Sequence, residues 1–264
     1  MLRLTIVLAS LAACHALPRP LEENSKLKIV GGLTADIKDF PFQVSLRRDD
    51  VIYCGGSILS EHWILTAGHC VYDLHGDLAS VKIRVGSTSQ SSGGQEVGLA
   101  WAATHPQFNI RTYVYDVGLL KVDTPLVLNK VSARPTRLVA AGKSLTPGQL
   151  LTISGWGRLA INNPDAPDHL LAVMLPNLPL EVCKGLYATR NLLVDDTMIC
   201  AGFGGKDSCK GDSGGPVVDD QQVQVGIVSW GVGCGDVGYP GLYSNLANPI
   251  LRQWIVQTVE APQS

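Results

Sequence analysis

A single serine stands between an aspartate and two glycines in residues 206–216, which read KDSCKGDSGGP. Glycine adopts backbone conformations that other residues avoid, so Gly214 and Gly215 permit a tight turn after Ser213. Such a turn can direct consecutive backbone N–H groups to one point in front of the serine oxygen. A serine placed in this way is suited to act as a nucleophile beside an oxyanion hole. Taken alone, the segment also fits a glycine-rich surface turn.

Two further polar residues could complete this chemistry. His69 ends an apolar strand in ILTAGHC, and Asp116 directly precedes the apolar run VGLL. Alone, such a histidine is more often structural, and such an aspartate is usually a turn residue. With Ser213 they supply a nucleophile, a base that takes its proton, and a carboxylate that fixes the tautomer of the base.

The elements around these residues predict an all-β fold. Glycine (28) and proline (15) are frequent, and short apolar runs are bounded by turns. A polar, proline-bounded segment at residues 134–147 is predicted to connect two halves. Asn248 and Pro249 before apolar residues at helical spacing predict a C-terminal helix. The predicted strands are residues 42–46, 54–59, 63–66, 81–85, 117–122, 150–154, 216–218 and 223–230.

The N-terminus has the pattern of an export signal. Arg3 precedes a short apolar run, and small residues then allow cleavage after Ala16. Residues 1–16 are therefore predicted to be a signal peptide, with a buried first strand as the alternative. Residues 17–28 are polar and contain two prolines, which we interpret as an activation propeptide. The protein is expected to be secreted and extracellular.

Charge and cysteine content narrow the functional class. The net charge of −2 gives no basic footprint for nucleic acid, and no other stretch suggests a membrane anchor. Once Cys14 leaves with the signal peptide, six cysteines remain. An even number in an exported chain implies disulfides, but six cysteines allow 15 pairings, so the sequence alone does not fix them.

Together these motifs resemble the chymotrypsin/trypsin family of serine proteases. The matching motifs, in the order that the family has, are IVGG at Ile29, TAGHC at Thr66, DVGLL at Asp116, GDSGGP at Gly211 and SWG at Ser229. The resemblance covers residues 29–264. It implies two six-stranded antiparallel β-barrels, at about residues 29–134 and 135–264, with the active site between them and a C-terminal helix.

The resemblance implies a role for each matching residue. His69 is expected to be the general base and later the general acid, Asp116 to orient it, and Ser213 to attack. The N–H groups of Gly211 and Ser213 are expected to form the oxyanion hole. Gly68 and Gly118 stand where the family usually has alanine. Because glycine is more flexible, each is expected to loosen the backbone near the triad, at a cost of about 0.5–1 kcal/mol in stability relative to alanine.

Substrate preference follows from Asp207, six residues before Ser213. In the family this position is the floor of the pocket for the side chain that precedes the scissile bond. An aspartate there implies cleavage after Arg or Lys. The other expected substrate contacts come from residues that leave room for a long side chain, bond its cation or pair with the substrate backbone. These residues are Ser208, Ser229, Trp230, Gly231 and Gly241.

Activation is expected to depend on a cut after Lys28. The resemblance implies that the freed amine of Ile29 pairs with Asp212, since a buried carboxylate is costly unless a cation meets it. The chain would then be a zymogen. The alternative is that Asp212 only caps a turn. Because the leader ends in lysine, self-activation is a further hypothesis.

The resemblance also implies the disulfides Cys54–Cys70, Cys183–Cys200 and Cys209–Cys234. This small set is closer to fungal, microbial or invertebrate trypsins than to vertebrate ones. Residues 86–97 contain one acid, Glu96, where vertebrate relatives hold calcium, so no calcium site is expected there. Pro240 stands where sodium-activated relatives have tyrosine, so sodium dependence is not expected. We expect no metal and no cofactor.

The leading hypothesis is a secreted, monomeric, trypsin-like endopeptidase that acts on proteins and peptides and is open to protein inhibitors. A second hypothesis is a catalytically dead homologue that serves as a binding module. Such proteins usually lack a triad member, and none is missing here. A third is a protease with a narrow processing target, and proteases of that kind often carry extra domains.

Overall fold

A computed structural model describes residues 32–158, 166–202, 205 and 207–261. The expected signal peptide, the propeptide with Lys28, and the Ile29 amine lie outside the described residues. Within the described ranges, no helix is both long enough and apolar enough to cross a membrane.

The described chain contains fifteen β-strands and three α-helices. In the first half these are β1 Leu33–Thr34, β2 Gln43–Arg48, β3 Val51–Ile58, β4 Trp63–Thr66, α1 Gly68–Tyr72, β5 Val81–Val85, β6 Gln95–Val97, β7 Leu99–Thr104 and β8 Gly118–Val122. The second half contains β9 Arg137–Leu138, β10 Leu150–Gly155, β11 Leu171–Leu178, α2 Leu180–Ala188, β12 Met198–Ala201, β13 Pro216–Val218, β14 Val223–Trp230, β15 Gly241–Asn245 and α3 Pro249–Glu260.

The second half forms a closed barrel. Its strands follow the order β11-β10-β13-β14-β15-β12, and β12 pairs back onto β11. All of these pairs are antiparallel. In β11 the buried residues Leu171, Val173 and Leu175 alternate with more exposed ones, so one face of the strand fills the barrel.

The first half is a seven-stranded antiparallel sheet in the order β6-β5-β2-β3-β4-β8-β7. Its two edge strands, β6 and β7, are separated in the chain by Gly98 alone. The sheet therefore curls until its edges meet through a covalent connection. Gly98 fits this corner because a Cβ there would collide with the Asp123 carboxylate, to which its N–H donates a bond of 3.1 Å. The all-β fold that the resemblance implied is thus present, with a closed six-stranded barrel in the second half and a curled, seven-stranded half-barrel in the first.

The two halves share a core and direct bonds. Gly55 N donates to Ser213 O over 2.7 Å, and Ser154 Oγ donates to Gln43 Oε1 over 2.5 Å. The predicted C-terminal helix is confirmed as α3. Asn248 caps it by accepting bonds from the first-turn N–H groups, and its apolar stripe is buried against the common core. These contacts fix the cleft between the halves.

The two glycines expected to loosen this region lie in tight contacts instead. A Cβ on Gly118 would lie 2.6 Å from Val71 Cγ2 and 2.7 Å from Ala67 O. A Cβ on Gly68 would lie 3.1 Å from both Asp116 Oδ1 and the Phe108 ring. Neighbouring atoms occupy the space that a side chain would need at these two positions. The prediction that the two glycines loosen the backbone is therefore wrong, because both lie in closely packed surroundings.

Gly118→Ala is therefore expected to overpack the Val71 contact and lower the free energy of unfolding by about 1–3 kcal/mol. Val71→Ala removes the methyl groups that the new Cβ would meet. The double variant should lose at least about 1 kcal/mol less than the sum of the single variants. Urea unfolding of the four proteins measures this coupling, and strictly additive losses would show that Val71 is not the obstacle.

Candidate active site

Three disulfides fix the loops that border the cleft. They join Cys54 to Cys70, Cys183 to Cys200 and Cys209 to Cys234, the same pairs that the resemblance implied. The first ties β3 to α1, the short helix that carries His69. The third ties the loop of Asp207 and Ser213 to the segment after β14.

Strand pairing brings His69 and Asp116 together. β4 pairs with β8 and ends opposite its start at Thr66↔Gly118, so the residues that flank the pair emerge side by side. Asp116 Oδ1 accepts a bond of 2.7 Å from His69 N, and Oδ2 accepts one of 2.8 Å from His69 Nδ1. The carboxylate thereby fixes both the loop and the ring of the histidine, and the Nδ1 proton is held toward it.

The Asp116 carboxylate is buried and has partners from both halves. Ser229 Oγ, in β14, donates to Asp116 Oδ2 over 2.6 Å, and Ser244 Oγ, in β15, donates to the Asp116 carbonyl over 2.6 Å. These bonds offset the cost of burying the charge. Burial lowers the pKa of His69, but the charge and hydrogen bond of Asp116 outweigh it, so the pKa is raised overall.

Ser213 lies against the histidine loop. Cys70 Sγ is 3.6 Å from both Ser213 O and His69 Nε2, so the free edge of the imidazole faces the serine segment. Within the described residues, no hydrogen bond joins Ser213 Oγ to His69. Such bonds are often long in the absence of substrate and tighten when it binds.

The turn at Ser213 leaves two backbone donors free. Gly211 has φ +100° and Gly214 has φ +82°, values that favour glycine. A Cβ on Gly214 would collide with Thr66 Oγ1. In the part of the chain that the structure describes, neither Gly211 N–H nor Ser213 N–H has an acceptor. Two unpaired donors beside a serine can stabilise a developing oxyanion.

Asp212 is fully buried beneath this turn. Its carboxylate accepts bonds from Gly157 N at 2.8 Å and Cys209 N at 3.0 Å. Burial raises its pKa to about 6, against the opposing effect of these bonds. Gly155 and Gly157 make room for it, because a Cβ on either would collide with the carboxylate. No lysine, arginine or histidine within the described ranges forms an ion pair with it.

A pocket of about 250 Å³ opens beside Ser213, with Asp207 in its wall. Asp207 is only 4% exposed, and burial raises its pKa to about 6. Its oxygens accept bonds from Ser208 N at 2.8 Å, Gly235 N at 3.2 Å and the Tyr243 hydroxyl at 3.2 Å. The pocket therefore has an ionisable carboxylate that is hydrogen-bonded and little hydrated.

The position of the Asp207 carboxylate depends on the absence of a side chain at Gly241. A Cβ on Gly241 would lie 2.6 Å from Asp207 Oδ1, whereas one on Gly231, which lines the pocket, would lie at an ordinary contact distance of 3.9 Å from Asp207 Oδ2. Ser208 Oγ is 3.4 Å from the same carboxylate, so it can donate to Asp207 and accept from a ligand cation. A side chain at Gly241 would displace the carboxylate.

One edge of β14 is open next to the pocket. Pairing with β13 ends at Val228, whose N–H donates to Gly215 O over 2.9 Å. Beyond it, the Ser229–Gly231 backbone has no strand on that edge among the described residues. An extended peptide could add there as a strand. Trp230 lines the pocket, and its ring stacks on Tyr113 with 5.9 Å between the ring centroids.

Sequence reasoning missed several contributors. Tyr243 bonds Asp207, Gly157 bonds Asp212, and the Tyr113 ring lies 5.4 Å from the His69 ring. Ser229 was expected only to bind substrate, yet its hydroxyl bonds Asp116. Tyr113, with φ +56°, stands in a turn where no local pattern marks it as functional.

No new metal centre emerges from the described residues. The one group of three potential ligands is Cys54, His69 and Cys70, and both cysteines are committed to a disulfide. Glu96, the single acid of residues 86–97, pairs with Arg84 at 2.7 Å.

Comparison with known proteins assigns the class. The family model described as Trypsin matches residues 29–255. The chain is 40% identical to "Trypsin" of Phaedon cochleariae, covering 98% of this chain and 100% of that one. It is 38% identical to "Trypsin epsilon" of Drosophila erecta, covering 98% of each chain. It is 36% identical to "Anionic trypsin" of Bos taurus, covering 97% of this chain and 98% of that one.

The fold and these matches define a serine endopeptidase. The chain belongs to the trypsin family. The expected likeness to invertebrate trypsins agrees with the insect relatives, although the bovine protein matches along nearly the whole chain as well.

In the native protein, the bond from the Tyr243 hydroxyl stabilises the charged form of Asp207. Tyr243→Phe removes this bond and is therefore expected to raise the pKa of Asp207 above about 6. Binding of the benzamidinium cation, measured by calorimetry from pH 4.5 to 8, should weaken as Asp207 is protonated. The midpoint should move up by about one pH unit in the variant. Tyr187→Phe is the control, since its hydroxyl donates to Pro240 O instead. Equal shifts in both variants would contradict this account.

Proposed function

We propose that this trypsin-family enzyme is secreted as a zymogen and, once processed, hydrolyses peptide bonds after Arg or Lys. The observation that carries the proposal is the buried Asp207 carboxylate in the pocket that opens beside Ser213. A long cationic side chain would meet the carboxylate where water is scarce, so the attraction is strong. The cation would also lower the pKa of Asp207 and keep it ionised near neutral pH.

The positions of His69, Asp116 and Ser213 support the following reaction. Ser213 Oγ attacks the carbonyl carbon while His69 Nε2 takes its proton, and Asp116 stabilises the imidazolium that forms. The oxyanion accepts bonds from the N–H groups of Gly211 and Ser213, each worth about 3–4 kcal/mol of barrier. His69 then gives the proton to the leaving amine. Water, activated by the same histidine, hydrolyses the acyl-enzyme.

The raised pKa of His69 fits this role. A stronger base accepts the serine proton more readily. Ser229 supports the same role by holding Asp116 Oδ2.

A cleavage-site profile on a peptide library tests the specificity. The processed enzyme should cut after Arg and Lys and spare Phe. Asp207→Ser should lose about 10²–10³-fold in kcat/KM on Arg substrates, since a buried ion pair loses one partner. Asp220→Ser, an exposed turn residue, is the matched control. Efficient cleavage after Phe, or an Asp207→Ser profile like that of the native enzyme, would contradict the proposal.

Assays with small ester substrates and a denatured protein separate the alternative hypotheses. A processed protein that turns over no Arg, Lys or Phe ester would be a binding module in place of an enzyme. Rapid turnover of small Arg esters together with an inert denatured protein would indicate a narrow processing target. Ser213→Ala gives the background rate for each comparison.

For activation, we propose that the Ile29 amine pairs with Asp212 after cleavage at Lys28. Two features of Asp212 support this. Its carboxylate is fully buried with a pKa raised to about 6, and no described cation meets it. An ammonium group would stabilise the charge directly beneath the oxyanion donors. Residues 1–16 would direct export, and residues 17–28 would form the leader that is removed.

Lys28→Gln is expected to keep the chain inactive in the presence of processed native enzyme, whereas Ser213→Ala should still be cut at Lys28. Asp212→Asn should be cut as well, yet lose about 10²-fold or more in kcat because the new amine has no charged partner. N-terminal sequencing and active-site titration follow the two steps. An uncleaved chain as active as the cleaved one would refute the zymogen proposal. Failure of Ser213→Ala to be processed would count against self-activation.

A further inference from the structure

We propose that the active enzyme favours substrates with an acidic residue within the first three positions after the scissile bond, and that Lys210 and Arg158 select it. The inference rests on the proposed cleavage after Arg or Lys. It concerns the part of the substrate after the cut, whereas the pocket that Asp207 and Lys210 both line would receive the side chain before the cut.

The two cations are anchored beside the oxyanion donors. A Cβ on Gly211 would lie 3.2 Å from Gly157 Cα, so the two glycine backbones are in contact. Next to this contact, Arg158 N donates to Lys210 O over 2.8 Å. Lys210 and Arg158 are therefore direct chain neighbours of the two touching glycines, and one backbone bond holds both to the same wall of the cleft.

The path expected for a substrate brings its leaving part to this wall. The residue before the cut places its side chain in the pocket above Asp207, and the chain before it follows the open edge of β14 at Ser229–Gly231. The carbonyl oxygen lies at the Gly211 and Ser213 N–H groups. Lys210 directly precedes the donor Gly211 and lines the pocket beside Ser213. The chain that leaves this point would therefore pass next to Lys210 and next to Arg158, whose backbone is bonded to that of Lys210.

Neither cation has a described counter-charge. Lys210 is exposed and Arg158 is half-buried, and no acid within the described ranges forms an ion pair with either. Two like charges held on one wall create a local positive potential, which a substrate carboxylate would neutralise. A neutral or basic residue at the same position gains nothing from this field.

Matched peptides measure the effect. Each contains one Arg, followed at the second position by Glu or Gln, and a third peptide carries Glu two positions before the Arg. The native enzyme should cut the Glu peptide with about 3- to 10-fold higher kcat/KM than the Gln peptide, as expected for one acid near one exposed and one half-buried cation. The third peptide should show no advantage. Raising the salt from 50 to 500 mM should shrink the ratio, because exposed charges are screened.

The ratio of the two rates is the readout in the variants, since it cancels any change in the basal rate. Lys210→Gln and Arg158→Gln should each lower it, the double variant should bring it to about 1, and Lys210→Glu should bring it below 1. Lys143→Gln, a change at another exposed lysine, should preserve it.

Three results would overturn the proposal: a native ratio of 1 or less while the Gln peptide is cut after Arg, a ratio that survives in the double variant, or an equal advantage when Glu precedes the Arg. A Gln peptide that is cut elsewhere than after Arg would overturn the proposed function as well. The two failures are therefore distinguishable.

Discussion

The buried charge of Asp116 is the constraint on which the rest of the site depends. A carboxylate without solvent must be met by donors from every side. Here two come from His69, in the first half of the chain, and one from Ser229, in the second. If the two halves slid against each other, the carboxylate would keep its bonds from His69, which lies in the same half as Asp116, but it would lose the bond from Ser229. The same carboxylate thus orients the imidazole and joins the two halves across the cleft.

Asp207 and Asp212 are also buried, but unlike Asp116 they have no titratable base among their described partners. Asp207 and Asp212 each have backbone donors, yet burial raises the pKa of both to about 6. Asp116 shares its charge with a titratable base, whereas these two have no described cation. A cation that binds next to a buried carboxylate without a counter-charge removes the cost of leaving that charge unpaired. That contrast gives the physical reason to assign one acid to substrate and the other to a new terminus.

The sequence predicted the strands that carry His69, Asp116 and the serine loop because their apolar runs and flanking turns are local signals. It could not predict Tyr243 as a partner of Asp207, or Ser229 as a partner of Asp116, since these pairs are 36 and 113 residues apart. The helix α2 was also missed. Strand pairing creates such contacts, and nothing in the neighbouring residues marks them. The disulfide pairs followed from family resemblance alone, because spacing left them open.

The glycines show the same limit in another form. The sequence predicted that Gly68 and Gly118 reduce the rigidity of the backbone, because it does not show which residues pack against them. The structure places Phe108 and Val71 there, so the missing methyl groups are compensated by larger neighbours. Gly155 and Gly157 follow the same logic around Asp212. Their missing side chains let a carboxylate be buried under the oxyanion donors, and the same close approach places Arg158 against Lys210. The geometry that buries Asp212, the proposed partner of a new terminus, therefore also shapes the wall that we propose for the leaving chain.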